Sequence, residues 1–84
     1  MKVTIKYFAS IREAIGQGSE VRDTSATTLS ALRDELLLLA SPSHAEALAR
    51  GKSVRVALNQ VMSDESAPMT TGCEVAFFPP VTGG

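Results

Sequence analysis

Two adjacent prolines, Pro79 and Pro80, fix where this 84-residue chain must stop building a sheet. Neither has a backbone N–H and both hold φ near one value, so a strand that reaches them ends there. The strand that does so is apolar and finishes on two aromatics, Phe77 and Phe78. Beyond the prolines stand only Val81, Thr82, Gly83 and Gly84. The expected division is a folded domain over residues 1–78 and an extended tail over 79–84. Six residues reach at most roughly 20 Å, and paired prolines favour an extended start over a collapsed one.

A Gly-Gly end is thin, and no Cβ shields its α-carboxylate. Such an end suits passage through a narrow channel, where a partner enzyme can react with the carboxylate itself. A frayed terminus is the competing reading, since chain ends are commonly disordered. What favours function is that the glycines follow a strand and a Pro-Pro spacer with no polar linker between them.

Composition narrows the rest. Hydrophobic residues make up 44% of the chain, too many for a disordered segment. The length is that of one domain near the lower limit for a self-sufficient core, so a bound partner is expected to add stability. A net charge of −1 gives no electrostatic reason to expect nucleic acid or an anionic membrane as partner. Cys73 and His44 each stand alone, which excludes an intramolecular disulfide, a cysteine metal site and the usual histidine clusters. The chain enters a strand pattern directly from Met1, with no signal-peptide pattern and no apolar run of membrane-spanning length. The default expectation is a soluble cytoplasmic protein.

In chain order, Lys2 to Phe8 alternates, with Val3, Ile5 and Tyr7 on one face and Lys2, Thr4, Lys6 and Phe8 on the other. Ser10 to Glu13 has the spacing of a capping box opening a short helix that Gly16 stops. Gly18 to Asp23 predicts an edge strand in a hairpin with the first. Thr28 is the expected N-cap of a helix with Leu29, Leu32, Leu36 and Leu39 on its apolar face and Arg33, Asp34 and Glu35 pointing elsewhere. Leu37 and Leu38 widen that face, as core or loop-packing residues or as a partner contact. Pro42 is expected to end this helix, and Ser43 to Glu46 reads as a second capping box with His44 exposed. Gly51 is a natural C-terminal stop for the helix so opened. Strands follow at Val54 to Leu58, at Val61-Met62 after a tight Asn59-Gln60 turn, and at Cys73 to Phe78. This pattern by itself supports a small α+β domain of sheet and helix.

Within the domain no catalytic constellation is legible: no phosphate loop, no supported carboxylate pair, no meaningful Ser/His/Asp spacing. Cys73 falls on the Val75 and Phe77 side of its strand, which reads as a buried structural thiol rather than a nucleophile. Parity instead isolates Phe8 and Phe78. If odd-numbered residues of the first and last strands form the core, both point outward, and clustered exposed aromatics are interface candidates. The competing reading is that they cap an irregular core edge. Met62 lies on a strand too short for its parity to be assigned.

The run Glu74-Val75-Ala76-Phe77-Phe78-Pro79-Pro80-Val81-Thr82-Gly83-Gly84 resembles the C-terminus of the molybdopterin synthase small subunits, the sulfur carriers of molybdenum-cofactor synthesis. Tyr7-Phe8-Ala9 with Arg12-Glu13, Thr28-Leu29 with Ala31-Leu32-Arg33, and Asn59-Gln60 fall where recurring features of that family fall. The resemblance implies a β-grasp, ubiquitin-like fold: a mixed sheet packed on a central helix. It further implies that a ubiquitin-activating-like adenylyltransferase uses ATP to adenylate Gly84, and that a sulfur donor converts the adenylate to a thiocarboxylate. The tail would then enter the large synthase subunit and pass sulfur to cyclic pyranopterin monophosphate. By the same resemblance Gly83 lets the chain pass, Val81 and Thr82 contact the channel, and Met62 joins Phe8 and Phe78 at the partner interface. No cofactor of its own is implied. Relatives often carry an acidic residue at the turn where Thr71-Gly72-Cys73 stands, a departure which argues that the position is not required for chemistry. A thiamine-pathway sulfur carrier, a ubiquitin-like modifier attached to lysines, and an interaction module with an inert tail remain as alternatives.

Overall fold

A computed structural model describes residues 1–51 and 53–80 of the chain. The expectations for Val81, Thr82, Gly83 and Gly84 lie outside the described residues.

Alternation in the first strand decides the architecture. In β1 (Lys2–Tyr7), Val3, Ile5 and Tyr7 are buried while Lys2, Thr4 and Lys6 face the other way. The chain continues through α1 (Ala9–Ile15), β2 (Ser19–Asp23), α2 (Leu29–Leu39), α3 (Pro42–Ala47), β3 (Arg55–Leu58), β4 (Val61–Ser63) and β5 (Glu74–Phe78). That element order is the one read from the sequence. The strands form one mixed sheet in the order β2-β1-β5-β3-β4. At its centre β1 and β5 run parallel; the other three pairings are antiparallel. This is the β-grasp arrangement of ubiquitin-like proteins.

One face of the sheet carries the core. Val3, Ile5, Tyr7, Val56, Val75 and Phe77 pack with Leu29, Leu32 and Leu36 of α2, and Cys73 is buried among them. Each fully buried leucine contributes roughly 1.5–3 kcal/mol. Local chemistry sets the joints. Thr28 Oγ1 accepts the Ala31 N–H at 3.1 Å and starts α2. Asn59 and Gln60 both have positive φ (49° and 69°), as a two-residue hairpin turn demands. Asn59 Oδ1 also accepts the Glu74 N–H at 2.9 Å, tying that turn to β5.

Four expectations need correction. Phe8, not Ser10, takes the N-cap position of α1, without any side-chain cap; its own carbonyl accepts from Ile11 and Arg12. Ser41 caps α3 and Pro42 opens it, because proline at the first helical position forfeits only a donor that would be unpaired anyway. The earlier start turns His44 inward. It is 6% exposed, with Nδ1 2.8 Å from Ser41 Oγ and Nε2 3.2 Å from Glu20 Oε2. Leu38 and Leu39 are 81% and 71% exposed, in the last turn of α2. Core space near α2 is filled instead by Ala47 and Leu48 of the α3 segment. Arg33, off the apolar face as its spacing predicts, is nevertheless buried, donating to the Leu48 and Ala49 carbonyls and to Glu65, each at 2.8 Å.

Tyr7 is stacked on Phe77 at 6.2 Å and meets the His44 ring edge-on at 5.5 Å. Its buried hydroxyl has no hydrogen-bond partner among the described residues. Burial first, and then the Glu20 carboxylate, push its pKa above the usual tyrosine value. A hydroxyl that loses water without gaining a partner is a net cost. Tyr7→Phe is therefore expected to leave stability unchanged or raise it by up to about 1 kcal/mol in urea unfolding. A loss of similar size would show that the hydroxyl is bonded in solution.

Candidate functional site

The opposite face of the sheet has no helix over its centre, and its registers show what it displays. Lys6 lies opposite Ala76, Ala76 opposite Ala57, and Ala57 opposite Met62, one row across four strands. Two alanines make a low floor in that row, with Lys6 at one end and Met62, 56% exposed, at the other. In the next row Phe78 lies opposite Arg55. Phe8, which follows β1, stacks on Phe78 with centroids 4.6 Å apart and planes only 8° from parallel. Phe8 remains 39% exposed despite that contact.

These residues bound one apolar hollow, lined by Phe8, Ala9, Arg55, Met62, Phe78 and the two prolines. The structure thus brings together Phe8, Phe78 and Met62, and the parity left open for Met62 is resolved towards the aromatics. A smaller hollow lies on the helical side of Pro79 and Pro80, between α1, Ala47 and Val54. The prolines therefore leave the domain between two recesses, with the aromatic one on the open face of the sheet. Beside it, Lys6 Nζ and Glu74 Oε1 form an ion pair at 3.3 Å.

Backbone strain sits at the edge of this site. Ala9 has φ of 51°, a left-handed conformation that costs a residue with a Cβ about 1–2 kcal/mol. The turn it makes carries the chain out of β1 straight into α1, leaving Phe8 over Phe78 rather than continuing along the strand. Arg55 was not singled out by sequence reasoning, and Ala9 entered only as part of the Tyr7-Phe8-Ala9 motif. Arg55 was findable, because parity with Val56 inward places it outward; what parity could not reveal is that β3 neighbours β5.

The thiol and the imidazole are enclosed or engaged. Cys73 is buried, as its strand position predicts, and His44 is held between Ser41 and Glu20. Among the described residues no group of three His, Cys, Asp or Glu could hold a metal ion. No helix among them is long and apolar enough to cross a membrane.

Residues 5–84 match the ThiS family. The chain belongs to that family. It is 39% identical over 82 residues to the molybdopterin synthase sulfur carrier subunit of Escherichia coli strain K12, covering 98% of this chain and 99% of that protein. Against the Haemophilus influenzae protein of the same name the identity is 37% over 82 residues, with the same coverage. Among solved structures it is similar to SAMP1 from Haloferax volcanii, with a TM-score of 0.76 and 26% identity over the full length of both. It also matches, over the full length of both chains, a chain in the complex of subunits 1 and 2 of the molybdopterin-converting factor from Helicobacter pylori 26695 (TM-score 0.67, 26% identity). The family resemblance carried by the sequence motifs therefore holds over nearly the whole chain.

The strain at Ala9 has a measurable consequence. Alanine to glycine in a helix ordinarily costs about 0.5–1 kcal/mol. Here glycine relieves the left-handed φ, so Ala9→Gly is expected to be neutral or stabilising in thermal unfolding. The full ordinary cost would mean that the turn is not held in solution.

Proposed function

We propose that this chain is the sulfur-carrier small subunit of molybdopterin synthase, acting in the cytoplasm. The observation that carries the reading is the end-to-end similarity, at 37–39% identity, to two sulfur carrier subunits of that synthase. Supporting it is an open aromatic face at the root of the segment that bears the Gly-Gly end.

The chemistry belongs to the terminus. A carboxylate is a poor electrophile because its leaving group would be oxide. In this reading a ubiquitin-activating-like enzyme lets the Gly84 carboxylate attack the α-phosphate of ATP, expelling pyrophosphate and leaving an acyl-adenylate. A sulfur donor then displaces AMP, and the product is a thiocarboxylate held covalently on the carrier. Free sulfide is never released. Gly83 and Gly84 offer no side chain to obstruct a channel, while Val81 and Thr82 make contacts along it. The large subunit supplies the site where sulfur passes to cyclic pyranopterin monophosphate to build the dithiolene. The carrier needs no cofactor of its own, since ATP is consumed by its activating enzyme.

The domain's part is docking. Phe8, Phe78 and Met62 bury apolar surface against the large subunit, and the prolines set the point at which the tail leaves the domain. A second reading, a ubiquitin-like modifier attached to lysines through Gly84, draws on the similarity to SAMP1.

A single-turnover assay separates the readings. Thiocarboxylated protein, mixed with a competent large subunit and cyclic pyranopterin monophosphate, is expected to yield dithiolene, and deletion of Gly84 is expected to abolish it. No product from a verified thiocarboxylate would overturn the proposal in favour of thiamine synthesis or protein modification, and lysine-linked conjugates in cells would select the latter. On the docking side, Phe78→Asp is expected to weaken large-subunit binding at least tenfold, as loss of a central aromatic anchor does. The melting temperature should change little, because Phe78 faces away from the core. Unimpaired binding would remove Phe78 from the interface.

A further inference from the structure

Arg55 is out of keeping with the hollow it lines. It sits opposite Phe78 in the β3–β5 pairing and borders the recess formed by Phe8, Met62 and the two prolines. Three other arginines are held by carboxylates: Arg22 by Glu35, Arg33 by Glu65, and Arg50 by Asp34 and Glu65, while Arg12 of α1, away from this hollow, has no ion pair among the described residues. Arg55 has no ion pair among the described residues. Asp64 lines a neighbouring recess together with Arg55 but does not pair with it, and Glu65, also on that recess, is already committed to Arg33 and Arg50. The other cation on this face, Lys6, is taken up by Glu74.

A partner that covers Phe8 and Phe78 must therefore also cover, or closely approach, a guanidinium with no internal carboxylate. Stripping water from an unpaired charge is unfavourable enough to cancel the gain from an aromatic anchor. A surface that places a carboxylate there avoids that cost, whereas an apolar or basic surface incurs it. Arginine suits the task, because its planar fork receives a carboxylate in a fixed direction.

We propose that Arg55 is a specificity-determining residue of the docking face, pairing with an acidic side chain that the synthase large subunit presents over the Phe8–Phe78–Met62 patch. The inference rests on the carrier reading given above and adds to it a partner chemistry, a carboxylate at the rim of an otherwise apolar contact.

The test is binding of the protein to the large subunit of its own organism, by calorimetry across a range of salt concentrations. It compares wild type with Arg55→Met, which keeps length and apolar stem, with Arg55→Lys, and with Arg55→Glu. Expected at low salt are a loss of about tenfold for Arg55→Met, a larger loss for Arg55→Glu, and partial retention for Arg55→Lys. The wild-type affinity should fall with salt more steeply than that of Arg55→Met. Thermal unfolding of the variants checks that the exposed substitution leaves the fold intact. Arg55→Met binding within threefold of wild type, or with an unchanged salt dependence, would overturn the role of Arg55 while leaving the carrier reading in place. Failure of the wild type itself to bind would instead overturn the carrier reading.

Discussion

The parallel pairing of β1 with β5 is the constraint on which the rest of this structure depends. It sets the chain's first strand beside its last, so residues 70 positions apart become neighbours: Phe8 donates its N–H to the Phe77 carbonyl at 3.2 Å and stacks its ring on Phe78. A parallel pair cannot be closed by a tight turn. The intervening chain must cross over, and α2 makes the crossing with the apolar side that seals the core. From that one pairing follow the inward stack of Tyr7 on Phe77 and the outward stack of Phe8 on Phe78. The core and the aromatic face are the two sides of a single strand pair.

Around that pair, charged clamps tie α2 to the segments at the periphery of the sheet. Arg33 reaches from α2 to the Leu48 and Ala49 carbonyls and to Glu65, fixing the approach to β3 and the loop that precedes β5. It is 3% exposed, so its charge is tolerated only because all three donor groups are met. Arg50 extends the clamp by joining Glu65 to Asp34 and to Ser30. On the other side Glu35 accepts from Arg22 Nε at 2.5 Å and from Thr24 Oγ1 at 2.6 Å, binding the edge strand β2 to α2. Burial works against the Glu35 charge, yet the bonds from Thr24 and Arg22 outweigh it and hold the carboxyl below its usual range. A domain this small gains precision at its sheet from contacts at its edges.

The sequence made the element order and the parity of the central strands legible, because period-2 alternation in Lys2–Phe8 and Cys73–Phe78 admits one inward set. It also made Phe8 and Phe78 legible as outward aromatics, though not as partners, since parity carries no information about which strands are adjacent. The misreadings share a cause: local signals overridden by packing. Ser10 and Ser43 have capping-box spacing, yet the helices begin where the strand exit at Phe8 and the Ser41-Pro42 step put them. A Ser-Pro pair is as good a start signal as a stop signal, and reading it as a stop sent His44 to the surface. Helical spacing put Arg33 off the apolar face without showing that it is buried, because two of its acceptors are backbone carbonyls that no side-chain pattern displays.

The same geometry explains why a carrier domain can be chemically inert and still set the outcome. Its one thiol is enclosed, its one histidine is engaged, and its hydroxyl-bearing Tyr7 faces the core. On the proposed reading, no thiol or free imidazole on the described surface competes with a reactive group at the chain's end. What the domain contributes is direction. Pro79 and Pro80 lie between the aromatic recess and a second one against α1, so any partner seated on the aromatic face meets the tail at a fixed origin. Orientation supplied in advance replaces freedom that a bimolecular encounter would have to lose. On this account the strained turn at Ala9 belongs to delivery rather than to stability: without it β1 would run on, and Phe8 would not lie over the strand that leads into the tail.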